Sequence, residues 1–325
     1  MSAPAPTKVL LIGLGELGSA ILTPLSALPN THITVGVRSP SKHAHLASSP
    51  TVSLLELDIT SPSADLAFTF SQFDILISAT GYGQKAGGTL KLAREALDAA
   101  ALRKQRGQGK LWFFPWQFGL DFDVTGDVDG LMPVFGVQKA VRDLLRGATQ
   151  DAEEAHIKFT IVSTGLFMSF LFQDFWGVVS CHESRPDAVA PRVVVTAIRD
   201  PSHKVTTTHV GDIGRVVAAL ISPDCKVDSE NKTLYLAGDT LSYADFAHLM
   251  TRVTGRQVGT EVWTTEFLRK ELEKDPMDVV KRYRVAFAGE GMYWDRKKSV
   301  HEALGVHLVR VDDYAKKWWE ERKGR

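Results

Sequence analysis

The sequence predicts an α/β chain: a doubly wound, mostly parallel sheet with a smaller α+β cap at its C-terminal end. Three observations carry this expectation. Short apolar runs alternate with helical patterns through the first half. Those runs lack the clean polar alternation of a sheet with one wet face, as expected when helices cover both sides. Beyond about residue 165 the alternation gives way to aromatic-rich and charged segments of mixed character.

The first run, "KVLLIG" (8–13), leads into the helical pattern "LGSAILTPLSAL". "HITVGV" (32–37), "VSLLELD" (52–58) and "DILISAT" (74–80) follow as strands, each rich in Val, Ile and Leu. Next comes "TLKLAREALDAAALRKQ", where Leu90, Leu92, Ala93, Ala96, Leu97 and Ala100 form an apolar stripe at helical spacing. "KLWFFP" (110–115) is the fifth strand, "GVQKAVRDLLRGATQ" a helix and "KFTIVST" (158–164) the sixth strand. Repeated βα units with right-handed crossovers build a doubly wound sheet. Afterwards an aromatic segment (166–177) precedes "RVVVTAI" (192–198), "VTTTHVGDIGRVVAALI" (205–221) and "TLYLAGDTLSYADFAHLMTRVTG" (233–255). The expected division is 1–165 for the sheet domain, with return segments near 203–238, and 166–325 for the cap, with soft boundaries. Trp318 and Trp319 in an amphipathic terminal helix are expected to pack on that cap.

Composition excludes several classes. Among 325 residues, 38 basic side chains balance 38 acidic ones, so the chain lacks the positive field of a nucleic-acid binder. Cys181 and Cys225 are the only cysteines, too few for a disulfide framework or a cysteine-rich zinc site, and no metal is expected. "FTIVSTGLFMSFLF" (159–172) is shorter than the ~20 residues a bilayer span requires. No apolar stretch precedes the first strand, so a cytoplasmic protein without membrane association is expected.

"IGLGELGSA" places Gly13, Gly15 and Gly18 after a strand and at the mouth of a helix, where a dinucleotide fingerprint belongs. Gly13 permits the tight turn, Gly15 lets the backbone approach a pyrophosphate, and Gly18 lets helix and strand pack closely. The N–H groups near Glu16 and Leu17 then face the anion, with the Glu16 carboxylate turned outward. A site for NAD usually ends the second strand with Asp or Glu, about 20 residues past the glycines. Here "VGVRSPSK" puts Arg38 there, with Ser39 and Lys42 nearby, which favours the 2′-phosphate of NADP(H). Ligands in open α/β sheets sit at the carboxyl edge. Ser78, Ala79, Thr80, Gly81 and Gln84 are therefore candidates after the fourth strand, and Pro115 after the fifth. Asp58, ending the third strand, either orients the adenine or caps the next turn through Thr60 and Ser61.

Taken together, several stretches resemble the isoflavone reductase-like branch of the NmrA-like, atypical short-chain dehydrogenase/reductases. "KLWFFPWQFGLD" resembles the family's fifth strand and Phe-Phe-Pro-x-x-Phe-Gly signature, with Trp116 where a serine is common. "GVQKAVRDLL" resembles the helix carrying the family's lysine, which places Lys139 there. "HVGDIGRVVAALI" and "LYLAGDTLSYADFAHLMTRVTGRQV" resemble two later segments, so the likeness spans about residues 8 to 255. The chain departs from the family in its tighter glycine spacing. Phe135, four residues before Lys139, stands where ordinary short-chain dehydrogenases carry a catalytic tyrosine.

The resemblance implies NADPH-dependent hydride delivery to an aromatic or conjugated molecule of flavonoid, lignan or polyketide type, with Lys139 as the acid/base or electrostatic residue. Its other implication is a non-catalytic dinucleotide sensor acting through a protein partner. Spacing by itself leaves Lys139 opposite the stripe Val137, Val141, Leu144 and Leu145, where a solvated lysine also sits. Trp116, Gln117, Phe118, Phe167 and Met168 leave the fifth and sixth strands nearest the carboxyl edge, as substrate-binding candidates or as core. "MYW" (292–294) is placed as a closure from the cap, and Asp212 as the cap of a helix starting near Ile213. A homodimer is compatible with the chain.

Overall fold

The computed structural model describes residues 5–81, 87–151, 153–182 and 192–322. The first half supplies β1 (Thr7–Ile12), α1 (Glu16–Leu25), β2 (Thr31–Val37), β3 (Val52–Glu56), α2 (Ser63–Phe70) and β4 (Ile75–Ser78). Then come α3 (Gly88–Gln105), β5 (Leu111–Phe114), the single turn α4 (Phe122–Thr125), α5 (Pro133–Ala148) and β6 (Ile157–Ser163). The second half contains β7 (Leu166–Phe167), β8 (Val179–His182), β9 (Arg192–Ile198), β10 (Lys204–Thr208), α6 (Val210–Ile221) and β11 (Lys232–Tyr235). It ends with β12 (Asp239–Ser242), α7 (Tyr243–Thr254), β13 (Gly259–Trp263), α8 (Thr265–Lys274), α9 (Val279–Phe287) and α10 (Val311–Glu320).

A seven-stranded sheet runs β11-β6-β5-β4-β1-β2-β3, every pairing parallel. Alternating side chains of β1 explain why helices cover both faces. Val9 and Leu11 pack with Ile21 and Leu25 of α1 and with Val216 and Val217 of α6. Leu10 and Ile12 pack on the opposite face with Phe70 of α2, Ala96 of α3 and Val141 of α5. All four β1 side chains are buried, each stabilising the fold by roughly 1.5–3 kcal/mol relative to exposure. The chain order reverses between β1 and β4, which opens a crevice at their carboxyl ends.

The cap is built on two three-stranded sheets, β12-β10-β7 and β13-β9-β8. Its core contains Phe172, Trp176, Val195, Phe246, Met250 and Phe287, and Trp318 and Trp319 of α10 join it as expected. Two elements of the second half return to the first sheet. Strand β11 pairs with β6, and α6 lies so close to α1 that a Cβ on Gly214 would stand 2.0 Å from the Ala20 carbonyl oxygen.

The tail is tied down by buried carboxylates. Asp212 does not cap α6, whose N-cap is His209; it is fully buried and accepts a 2.7 Å hydrogen bond from the Val309 N–H. Burial pushes its pKa up, against the pull of that bond and of Arg215. Asp239 likewise accepts from the Val311 N–H at 2.8 Å. No helix among the described residues is long and apolar enough to cross a membrane, and no group of three or more potential metal ligands occurs among them.

Candidate functional site: a cavity from the glycine turn to the cap

The β1–α1 turn has the geometry its glycines predict. Gly13 has φ +95°, and a Cβ there would meet the Ala79 carbonyl oxygen at 2.8 Å, so the turn is pressed onto the end of β4. A Cβ on Gly18 would stand 2.2 Å from the Gly13 carbonyl oxygen, which makes Gly18 a packing residue, buried and off the cavity wall. Gly15 has nothing within 4 Å of where its Cβ would lie. As the N-cap of α1 it offers no side-chain cap, and the first-turn N–H groups face open space. Leu17 and exposed Glu16 line the same mouth.

Arg38, Ser39, Lys42 and His43 line the cavity at the end of β2. Arg38 and Lys42 are exposed, and neither forms an ion pair with a described residue. Asp58 does not line the cavity. It accepts from the Thr60 N–H at 2.9 Å and the Thr60 hydroxyl at 2.8 Å, so the turn-capping alternative holds, and those bonds lower its pKa. Ala79, Thr80 and Gly81 line the cavity, whereas Ser78 is buried with its hydroxyl 3.3 Å from that of Thr80. Pro115 is buried behind the wall. Gln84 lies outside the described residues.

This cavity of about 820 Å³ continues from the turn towards the cap. Trp116, Gln117 and Phe118 line it after β5, and Phe167 lines it from β7. Met168 does not: it is fully buried in the cap core, near Gly238. Further aromatic walls come from Phe170, Phe175 and Trp176, whose ring centroid lies 5.0 Å from that of Phe287. Closure from the cap belongs to α9, through Val279, Val280, Tyr283 and Phe287, rather than to Met292 and Trp294, which are buried elsewhere. Phe135 lines the cavity and meets Tyr283 edge-on at 5.5 Å.

Lys139 does not line the cavity. Its ammonium pairs with Asp143 at 2.7 Å along the outer face of α5, and its side chain is 43% exposed. The inner face of that helix carries Phe135, Gln138, Val141, Arg142 and Leu145. One residue turns the helix by about 100°, so Gln138 faces inward where Lys139 faces out. The catalytic role that the resemblance gives Lys139 therefore has no contact with this cavity to act through.

Behind Gln138 lies a buried polar network. Arg142, fully buried, donates from Nε to Gln117 Oε1 at 2.9 Å and from one terminal nitrogen to Asp121 at 3.1 Å and Asp123 at 2.9 Å. The other terminal nitrogen reaches the Leu120 carbonyl at 3.2 Å and the Ser163 hydroxyl at 2.9 Å. Every guanidinium N–H is thereby used, which is how a buried arginine is tolerated. The Arg146 guanidinium, followed by that of Arg142, holds the Asp123 carboxyl down at about 2. Tyr235 donates to Asp121 at 2.8 Å, and burial together with that carboxylate pushes its phenol up to about 12. Two signals for this network stand in the sequence: Asp121 and Asp123 in the segment that follows the fifth strand, and an arginine on the apolar face of a helix.

Comparison with known proteins gives this geometry its context. The model of the NmrA-like family matches residues 7–311. The chain belongs to the NmrA-like family. An NmrA-like family domain-containing oxidoreductase of Gibberella moniliformis is 32% identical to this NmrA-like protein, over 95% of this chain and 97% of its own length. Among solved structures, an isoflavone reductase superposes with a TM-score of 0.70 at 20% identity, covering 96% of this chain and 99% of its own. An NADPH-dependent quinone oxidoreductase of Escherichia coli, solved with NADPH, superposes with a TM-score of 0.67 at 16% identity, covering 96% and 99%. At these identities the structural likeness shows the fold, a Rossmann-like α/β sheet.

Proposed function

We propose that this NmrA-like protein is an oxidoreductase that binds NADPH and reduces a neutral aromatic or conjugated small molecule. One observation carries the proposal. A single cavity joins the glycine turn and two unpaired cations to a pocket walled by aromatic rings, with no charged side chain among the described residues at the cap end.

The residues fit the cofactor. The open space over Gly15 and the uncapped start of α1 suit a pyrophosphate. Arg38 and Lys42 suit a 2′-phosphate, through charge-assisted hydrogen bonds that NADH cannot form. Ala79, Thr80 and Gly81 carry the site across the end of β4 towards Trp116 and Phe118. Bound NADPH supplies the hydride. The protein supplies position: Phe135, Phe167, Tyr283 and Phe287 make a slot for a planar ligand. The cap, residues 166–325, is in this reading the substrate-binding unit.

The test has two stages. Tryptophan-to-NADPH energy transfer measures cofactor binding, with NADPH expected to bind more tightly than NADH. A panel of flavonoids, lignans, enones and quinones, followed by loss of NADPH absorbance, then reads turnover. Tight NADPH binding with no turnover across the panel refutes the enzyme and leaves the sensor. No affinity for either coenzyme refutes both.

A further inference from the structure

We infer that the side-chain amide of Gln138 is the donor that holds the substrate's oxygen, and that the substrate is a neutral conjugated carbonyl compound. The inference rests on the NADPH-dependent reading of the same cavity and names the residue and chemical class that reading leaves open.

The argument begins at Arg142, because a guanidinium only donates. The Gln117 atom facing it at 2.9 Å is therefore Oε1. That orientation turns Gln117 Nε2 towards Gln138, where it donates to the backbone carbonyl at 2.9 Å and to Oε1 at 2.8 Å. The Gln138 oxygen is thus occupied, and its Nε2 is the free end of the amide, with no hydrogen-bond partner among the described residues. The residue is only 2% exposed, yet it lines the cavity. Its Nε2 keeps accessible surface where the residue lines the cavity, so an acceptor on a ligand can take the place of water there. Gln117 cannot serve: its own amide is spent on Arg142 and Gln138.

A neutral donor selects its partner. Without a cation at this end, an isolated alkoxide would be poorly stabilised, whereas an enolate or hydroquinone oxygen carries delocalised charge. In an enone, hydride from NADPH bonds to the carbon at the far end of the conjugated double bond. The π electrons shift to the carbonyl oxygen against the Gln138 N–H, and water supplies the proton that completes the ketone; NADPH becomes NADP⁺. With a quinone the same hydride, carrying both electrons and one hydrogen, and one further proton from water give the hydroquinone.

The test uses 2-methyl-1,4-naphthoquinone and its carbonyl-free analogue 2-methylnaphthalene, with wild type, Gln138→Leu, Gln138→Asn and Lys139→Ala. NADPH affinity of each variant is measured first, which separates failure of the cofactor reading from failure of this one. Wild type is expected to bind the quinone more tightly than the hydrocarbon and to lower the frequency of its isotope-edited carbonyl stretch. Gln138→Leu is expected to lose that preference and the frequency shift, and to lose about 100-fold in kcat/KM with NADPH affinity unchanged. Gln138→Asn, whose amide is one methylene short, should lose the shift while keeping its fold. No quinone binding by wild type, an unchanged carbonyl frequency in Gln138→Leu, or a loss on Lys139→Ala that Gln138→Leu does not show overturns the inference.

Discussion

Replacing Gly15 by alanine separates the fold from the cofactor site. The added methyl meets no protein atom within 4 Å, and the backbone at φ −79°, ψ −161° is open to any residue. Folding stability should therefore hold or rise slightly, because alanine has less chain entropy to lose, by about 0.4–1 kcal/mol. The same methyl intrudes where a pyrophosphate would touch the backbone. Overpacking costs about 1–3 kcal/mol, and 1.4 kcal/mol is tenfold in affinity, so the NADPH Kd should rise roughly 5- to 150-fold. Gly18→Ala is the contrast: its methyl falls 2.2 Å from the Gly13 carbonyl oxygen, so the melting temperature and the affinity should drop together. Circular dichroism melts and tryptophan-to-NADPH energy transfer read the two quantities on the same samples. A Gly15→Ala protein that keeps both its melting temperature and its NADPH affinity refutes a pyrophosphate seated over this turn.

Arg38→Ala should weaken NADPH binding about 10- to 100-fold and leave NADH nearly unchanged, since only NADPH offers a phosphate for charge-assisted bonds worth ~1.5–3 kcal/mol; equal effects on the two coenzymes would sink the assignment. Asp123 has its pKa lowered from 3.8 to about 2, so its stabilising contribution is complete above pH 3.8 and fades as pH falls towards 2. It amounts to about 2 kcal/mol at neutral pH, and urea unfolding should show a gap between wild type and Asp123→Asn that narrows from pH 4 to pH 2.5. A gap constant over that range contradicts the ion pairing. Arg142→Met should destabilise by about 3–5 kcal/mol, because it strands Asp121 and Asp123 without their buried partner; a change under ~1 kcal/mol in chemical unfolding would show the network to be dispensable.

The strands of the main sheet were legible because their faces are sandwiched. Val9 and Leu11 serve one core and Leu10 and Ile12 the other, which leaves an unbroken apolar run that only a doubly covered strand produces. The glycine turn was legible because its spacing encodes backbone geometry directly. The far end of the cavity was not. Lys139 and Gln138 differ by one position, and helical rotation converts that step into opposite faces, so spacing alone does not say which of the two side chains lines the cavity. Val279, Val280, Tyr283 and Phe287 do lie on one helical face, a readable pattern, but nothing local says that this face lines the same cavity as Trp116 and Phe167. Met168 and Asp212 show the same limit, since an apolar residue at a strand end and a carboxylate near a helix start each have a plain local role that tertiary packing overrode.

The interleaving of the two halves has a consequence for how the protein can be divided. A fragment ending at residue 165 would lose α6, and with it the cover over Ile21 and Leu25, together with the strand that guards the β6 edge. Such a fragment would carry the cofactor turn yet expose a raw apolar flank and an open row of backbone donors and acceptors, the recipe for self-association. The tail binds the two halves together as well: Asp212 of α6 and Asp239 of β12 both accept from its backbone, so cutting the chain before residue 309 would strand two buried carboxylates without their donors.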